Sequence, residues 1–219
     1  MKMIILNGSP KANSKSSNTE IFIHHFTSAM KMKYEVKYIA TEEPKELAQY
    51  IKTFDTILIV MPLYIHAMPS GVMKLIEHLE SSCSNNQSIG FIVQAGFPES
   101  AHEKFVREYF EELAKRLHYQ YLGTVVKGGS AFIYRRPKHF KKLYKSLADL
   151  GRIFEETHAF DKKITQKLAK PYQFNKFALW QLRLIDKIGL VNYEWNAILR
   201  QNNALEHALN QPFLEEVKK

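Results

Sequence analysis

Small polar residues follow a short apolar run near the start of the chain, in an order typical of a phosphate-binding loop. The apolar run Met3–Leu6 leads into Asn7-Gly8-Ser9-Pro10-Lys11, and a segment rich in serine and asparagine continues to Thr19. Free main-chain amides and the positive end of the dipole at a helix start attract an anion. Hydroxyl groups along the segment and the charge of Lys11 would strengthen that attraction, so the segment predicts an anion site.

Ser17-Asn18-Thr19-Glu20 marks the expected start of the first helix. The spacing predicts a capping box, in which Ser17 bonds to the third helical amide and Glu20 reaches back to the cap. Serine and asparagine are also favoured at any helix start, so the segment alone leaves a phosphate site and an ordinary turn equally open. Neither G-x-x-x-x-G-K-[ST] nor G-x-G-x-x-G occurs, so a single phosphate suits the loop better than a Mg-nucleotide or dinucleotide.

Apolar runs at regular intervals predict the sheet that positions this loop. Strands and helices alternate up to about residue 150, which indicates a doubly wound α/β fold with a parallel sheet. The expected strands are Met3–Leu6, Tyr34–Ile39 at an edge, Thr56–Met61, Ser88–Gln94 and Tyr119–Val126. Ligands bind beyond the carboxyl ends of such strands. Four segments should meet there: 7–19, 62–68, 95–99 and 128–130.

The rest of the chain reads as helices, and the composition is that of an ordinary globular protein. Apolar residues make up 45% of the 219 residues and charged residues 24%. The single cysteine, Cys83, excludes an internal disulfide framework. Since no signal peptide or membrane span is evident, we expect a cytoplasmic protein without stable membrane insertion. Beyond residue 150, Phe177, Trp180, Leu184 and Ile188 recur at near-helical spacing.

Two loop motifs together resemble those of the flavodoxin-like NAD(P)H-dependent FMN reductase and quinone reductase superfamily. The first is Gly8-Ser9-Pro10-Lys11 with Ser17-Asn18-Thr19, and the second is Pro62-Leu63-Tyr64 followed by Met68-Pro69 and Lys74. The resemblance covers roughly residues 1–150. It implies a five-stranded sheet in the order 2-1-3-4-5, an FMN-binding domain over 1–150 and a helical extension over 151–219.

The same resemblance implies the residues of an FMN site. Those expected around the phosphate are Ser9, Lys11, Ser16, Ser17, Asn18 and Thr19; those along the isoalloxazine ring are Pro62, Leu63, Tyr64, Ile65, His66 and Met68; those at its pyrimidine edge are Ala95, Gly96, Phe97 and Glu99. Many relatives have glycine where this chain has Ala95, and arginine where it has Lys11, so the bidentate fork of arginine is lost.

The implied function is reduction of a flavin, quinone or similar small acceptor by NADH or NADPH through bound FMN. Hydride chemistry belongs to the cofactor, so no catalytic side chain is obligatory. Tyr64 and His66 are possible substrate contacts, although either can be a wall or solvated residue. A nitro- or azo-compound reductase, an electron carrier and a flavin-binding regulatory protein remain alternatives. We expect a homodimer and no metal site, since His24, His25, His78 and His102 have no partner at ligand spacing.

Positive charge is concentrated in the C-terminal part of the chain. Residues 1–134 contain 14 lysines and arginines against 13 acidic residues, whereas residues 135–219 contain 17 against 9. An acid-free cluster consists of Arg135, Arg136, Lys138, Lys141, Lys142 and Lys145. The cluster fits the 2′-phosphate of NADPH, an anionic substrate, a membrane surface, nucleic acid or a solvated helix face. No nucleic-acid-binding module is recognisable, so we expect no such partner.

Overall fold

Five parallel strands form one sheet in the computed structural model, which describes residues 2–12, 14, 16–64, 66–79, 87–189 and 192–210. The strands are β1 (Met3–Asn7), β2 (Tyr34–Tyr38), β3 (Thr56–Pro62), β4 (Ser88–Gln94) and β5 (Gln120–Lys127). They lie in the order β2-β1-β3-β4-β5, and every neighbouring pair is parallel. The predicted flavodoxin-like sheet and its strand order are confirmed. Cys83 lies outside the described residues.

Helices follow the strands and continue after the sheet is complete. They are α1 (Asn18–Thr27), α2 (Pro44–Ile51), α3 (Ser70–Glu77), α4 (Lys104–Arg116), α5 (Lys141–Thr157), α6 (Lys162–Leu168), α7 (Lys176–Lys187) and α8 (Tyr193–Gln201). A 3₁₀ turn over Ser100–Glu103 directly precedes α4. The amides of Ser100 and Ala101 donate to the carbonyl oxygens of Pro171 and Tyr172, which ties this turn to a later segment.

Apolar side chains cover both faces of the sheet, so the molecule has two cores separated by the strands. One core joins alternate residues of β1, β3 and β4 to α2, α3 and α4. The other joins the opposite residues of these strands to α1 and α5. Because both faces are covered, β1 and β3 are buried along their whole length, as their unbroken apolar runs predict.

The chain divides into two compact units, Met1–Gln173 and Phe174–Lys219. The domain boundary expected after residue 150 falls inside α5, whose apolar side chains pack in the second core. Helices α7 and α8 belong to the second unit, where the rings of Phe177 and Trp180 stack with centroids 5.9 Å apart. No helix within the described residues is long and apolar enough to cross a bilayer.

Helices α1 and α5 cross at a point where only a glycine fits. A Cβ added to Gly151 of α5 would lie 1.8 Å from the carbonyl oxygen of Phe26 in α1, which is backbone and cannot rotate away. Any larger residue must therefore push the two helices apart. Since α1 begins at the candidate anion site, this contact also fixes the position of that site's helix.

We predict that Gly151→Ala lowers the free energy of unfolding by about 1–3 kcal/mol, because overpacking outweighs the gain in helix propensity. The matched control is Gly71→Ala in α3, where a Cβ would meet only Ile39 Cγ2 at an ordinary 3.5 Å. That substitution should leave stability unchanged or raise it by up to about 1 kcal/mol. Urea denaturation measures both variants, and equal stabilisation of the two would contradict the close contact.

Candidate functional site

The loop between β1 and α1 is organised by the side chain of Asn7, which is completely buried at the end of the strand. Its Oδ1 accepts a hydrogen bond from the amide of Ser9 at 2.9 Å, and its Nδ2 donates to Glu20 Oε2 at 2.9 Å. The amide of Gly8 donates to the carbonyl oxygen of Val60 at 2.8 Å. The loop is thus tied to the neighbouring strand and to the first turn of α1.

The predicted capping box is wrong, although Ser17 does occupy the N-cap position of α1. Its hydroxyl makes no bond to a helix amide. The carboxylate of Glu20 instead accepts from Asn7, with the Tyr38 hydroxyl 3.5 Å from its other oxygen. The buried amide of Asn7 requires an acceptor, and Glu20 supplies it. The first amides of any α-helix have no hydrogen-bond partner within the helix. In α1 these amides therefore also lack the side-chain cap that Ser17 was predicted to provide.

A cleft of about 280 Å³ opens at the carboxyl ends of β1, β3, β4 and β5. It brings together most of the predicted site: Ser9, Lys11, Ser16, Ser17, Asn18, Thr19, Pro62, Leu63, Tyr64 and Gly96. Four further lining residues are Gln94, Ser130, Ala131 and Tyr134. One wall is polar and comes from the β1–α1 segment, and the facing wall is formed by the apolar residues after β3. Ligand sites usually have volumes of roughly 300–1,000 Å³, so this cleft has room for part of a small ligand.

The polar wall of this cleft contains three side-chain oxygens that are buried without a hydrogen-bond partner among the described residues. They are Ser17 Oγ, Asn18 Oδ1 and Thr19 Oγ1. Buried polar atoms are normally paired, and each unsatisfied one costs about 1–3 kcal/mol. Three consecutive residues at one helix start, all lining a cleft, indicate a place that a polar ligand completes.

Asn18 differs from Ser17 and Thr19 in the kind of hydrogen bond that its unpartnered atom can make. Its Nδ2 donates to the carbonyl oxygen of Ser130 at 2.6 Å, and this fixes the orientation of the amide. The unpartnered atom is therefore the carbonyl oxygen, which only accepts hydrogen bonds. Asn18 thus suits a hydroxyl of a ligand, whereas the hydroxyls of Ser17 and Thr19 can donate to an anion.

The charge of the cleft is favourable to an anion. Lys11 lies at its rim, with Nζ 5.9 Å from the centre of the Tyr134 ring. No acidic residue is among the lining residues. Tyr64 is 50% exposed, and partial burial raises the pKa of its hydroxyl above the usual value near 10. At neutral pH this hydroxyl stays protonated and can donate a hydrogen bond.

His66 and Met68 face a different cavity from the rest of the predicted site. Tyr64 and Ala67 exchange two main-chain hydrogen bonds of 2.9 and 3.0 Å, and His66 has a positive φ of 65° in the turn between them. This second cavity, of about 480 Å³, lies between α3 and α4. It is lined by His66, Ala67, Met68, Met73, Ile76, Glu77, Phe105, Val106 and Tyr109. Ile65 lies outside the described residues.

The remaining predicted residues, Ala95, Phe97 and Glu99, do not line the cleft. Ala95 is buried; its amide donates to Lys127 O at 2.9 Å and its carbonyl accepts from the Ser130 amide at 2.9 Å. The side chain of Phe97 is 66% exposed, and Glu99 occupies the N-cap of the following 3₁₀ turn. Only Gly96 of this segment reaches the cleft.

The glycines after β5 accommodate a neighbouring loop, and this contact positions Ser130. A Cβ at Gly128 would lie 2.5 Å from the carbonyl oxygen of Pro98, so this position has room only for glycine. The buried hydroxyl of Ser130 bonds to Gln94 Oε1 and to the Ala95 carbonyl oxygen. The available sequence signal was the position of Gln94 at the end of β4 and of Ser130 shortly after β5.

Comparisons with known proteins connect this chain to others only through its fold. No family model and no curated protein matches the sequence. Among solved structures, an FMN-dependent NADH-azoreductase from Bacillus anthracis str. Ames Ancestor in complex with FMN superposes with a TM-score of 0.55 at 15% identity, covering 70% of this chain and 99% of that one. An apo NADH:FMN oxidoreductase superposes with a TM-score of 0.53 at 14% identity, covering 78% of this chain and 96% of that one.

A third similar structure is an NADPH-quinone reductase from P. pentosaceus, with a TM-score of 0.51 and 16% identity. The match covers 68% of this chain and 96% of that one. Identities this low establish the architecture alone. Together with the observed strand order, they show that this chain has the flavodoxin-like fold of these reductases.

Proposed function

We propose that the chain is an FMN-dependent NAD(P)H oxidoreductase that reduces a small-molecule acceptor. The observation that carries this proposal is the set of three buried, unpartnered oxygens of Ser17, Asn18 and Thr19, inside a cleft that also contains Lys11. Their chemistry fits the tail of FMN, which carries one phosphate and a chain of hydroxyl groups. The similar solved structures named as FMN-dependent or FMN-reducing enzymes support the same cofactor.

The residues of the cleft divide between the two ends of that cofactor. Ser17 and Thr19 would donate hydroxyl hydrogen bonds to the phosphate, with Lys11 and the amino end of α1 supplying positive potential. Asn18 Oδ1 would accept from a hydroxyl of the ribityl chain. Pro62, Leu63 and Tyr64 would form the wall against the ring, and Gly96 would bring main-chain groups to its edge. All these residues belong to the proposed FMN-binding domain, residues 1–150.

When bound, FMN supplies the hydride chemistry, and the protein's task is to bind and orient the reactants. The apolar wall after β3 excludes water from one side of the cleft. The Tyr64 hydroxyl, which is protonated at neutral pH, can donate a hydrogen bond to an acceptor oxygen at the mouth of the cleft. His66 lines the second cavity instead. Tyr64 is therefore the better candidate for a contact with the electron acceptor.

Several finer assignments belong to this proposal. The acceptor can be a flavin, a quinone or, as the azoreductase structure supports, an azo or nitro compound. Exposed Met73, Phe105 and Tyr109 beside the second cavity support a homodimer, and we propose a cytoplasmic location.

An electron carrier or flavin-binding regulator is the alternative class, but carriers of this fold tend to be acidic, whereas this chain has a net charge of +9.

We predict that the purified protein binds FMN and that NADH or NADPH bleaches the flavin absorbance under anaerobic conditions. Visible spectroscopy measures both steps. A colourless protein that binds no added FMN would overturn the cofactor assignment. FMN binding without bleaching by either nucleotide would instead favour the carrier or regulatory alternative.

A second prediction separates the cofactor role of Ser17 from a role in capping. Ser17→Ala should weaken FMN affinity about tenfold or more, because a hydrogen bond to a charged group contributes about 1.5–3 kcal/mol. It should leave the stability of the FMN-free protein unchanged or raise it by up to about 3 kcal/mol, since the hydroxyl caps no amide and is buried without a partner among the described residues.

The matched control is Asp161→Ala at the N-cap of α6, where Oδ1 accepts from the Ile164 amide at 2.8 Å. That change should cost about 1 kcal/mol of stability and leave FMN affinity unchanged. FMN titration and urea denaturation give the two readouts. Loss of stability without loss of affinity in Ser17→Ala would identify the serine as an ordinary cap.

A further inference from the structure

We propose that the segment 135–145 binds the 2′-phosphate of NADPH and makes NADPH the preferred reductant. The inference rests on the proposed function and names the co-substrate of the same cleft. The segment contains the acid-free basic cluster Arg135, Arg136, Lys138, Lys141, Lys142 and Lys145.

The basic cluster is continuous with the wall of the cleft. Ser130, Ala131 and Tyr134 line the cleft, and Arg135 follows directly. The amides of Arg135 and Arg136 both donate to the carbonyl oxygen of Phe132, at 3.1 and 3.0 Å. A 3₁₀ turn over Pro137–Phe140 then leads into α5. Arg135, Arg136 and Lys138 therefore belong to folded turns that directly follow the wall of the cleft, and Lys141, Lys142 and Lys145 come next in α5.

Most of the cluster is not neutralised by the protein itself. Among the described residues, no carboxylate lies within ion-pair distance of Lys138, Lys141, Lys142 or Lys145. Two helices contain basic residues that pair with a glutamate one turn away: Lys104–Glu108, Lys115–Glu111 and Arg116–Glu112 in α4, and Arg152–Glu156 later in α5. The start of α5 departs from this pattern, so its charge is available to an external anion.

The start of α5 adds a further positive contribution. The helix is 17 residues long, its N-cap is Phe140, and no side chain caps it. Its first turn contains no acidic residue, so the positive end of the helix dipole adds to the lysine charges. The lysines and the uncapped helix start together give this surface a positive potential, which suits a doubly charged phosphate.

The position of this surface favours a dinucleotide over a polyanion. If the nicotinamide enters the cleft to reach the flavin, the adenosine half must extend over the rim. NADPH differs from NADH only by a phosphate on that half, so positive charge at the rim discriminates between them. A nucleic acid or an anionic membrane would be attracted to the cluster by its charge alone. Neither ligand would require the cluster to follow the wall of the cleft.

The test is calorimetric titration of NADP⁺ and NAD⁺ into the FMN-loaded protein. The wild-type chain should bind NADP⁺ at least about tenfold more tightly, as expected for charge-assisted bonds to a phosphate. The variant Arg135→Gln/Arg136→Gln/Lys138→Gln should lose this preference while retaining its FMN affinity, which also shows that it is folded. If it does not fold, Lys138→Gln alone should reduce the preference.

The control Lys162→Gln/Lys163→Gln/Lys167→Gln removes the same charge from exposed positions on α6, and it should retain the preference for NADP⁺. Equal affinities for NAD⁺ and NADP⁺ in the wild type would overturn the inference, and so would a preference for NADP⁺ that persists in the Arg135→Gln/Arg136→Gln/Lys138→Gln variant. If FMN still binds in either case, the proposed function stands. Failure to bind FMN would overturn both. Tight binding of duplex DNA or phosphatidylserine vesicles, lost in the Arg135 variant without any dinucleotide preference, would assign the cluster to a polyanion.

Discussion

The candidate site depends on how one buried amide, that of Asn7, satisfies its hydrogen bonds. At the end of β1 this side chain holds the Ser9 amide with its oxygen and the Glu20 carboxylate with its nitrogen. Glu20 is thereby withdrawn from the capping box, and the Ser17 hydroxyl remains without a partner. The protein stabilises its loop at the expense of the helix cap, and the start of α1 is left available to a ligand.

A second set of ties builds the opposite side of the cleft. The Ser130 hydroxyl bonds to Gln94, the amide of Gly129 donates to the Phe97 carbonyl oxygen, and Asn18 reaches across to the carbonyl oxygen of Ser130. The loops after β1, β4 and β5 are therefore connected directly, in addition to their support by the sheet. Such an arrangement holds the donors of the cleft in fixed positions before any ligand binds, which reduces the cost of ordering them on binding.

The strands and most of the polar wall were predictable because they depend on local patterns. Unbroken apolar runs identified β1 and β3, and their ends located the loops that meet in the cleft. The partners of Glu20 were not predictable, because the bond to Asn7 competes with a cap that fits the local sequence equally well. The separation of Tyr64 from His66 depends on a tight turn whose geometry the residue types do not specify. Likewise, the role of Gly128 follows from close contact with Pro98, thirty residues earlier in the chain.

The central claim is that the unpartnered oxygens at the start of α1 hold the phosphate end of a flavin. The most direct measurement compares the affinities of FMN and riboflavin, which share the ring and the ribityl chain and differ only in the phosphate. The account predicts that FMN binds at least about a hundredfold more tightly, since two hydroxyls, Lys11 and the helix start would all contact the phosphate. Equal affinities for the two flavins would contradict it.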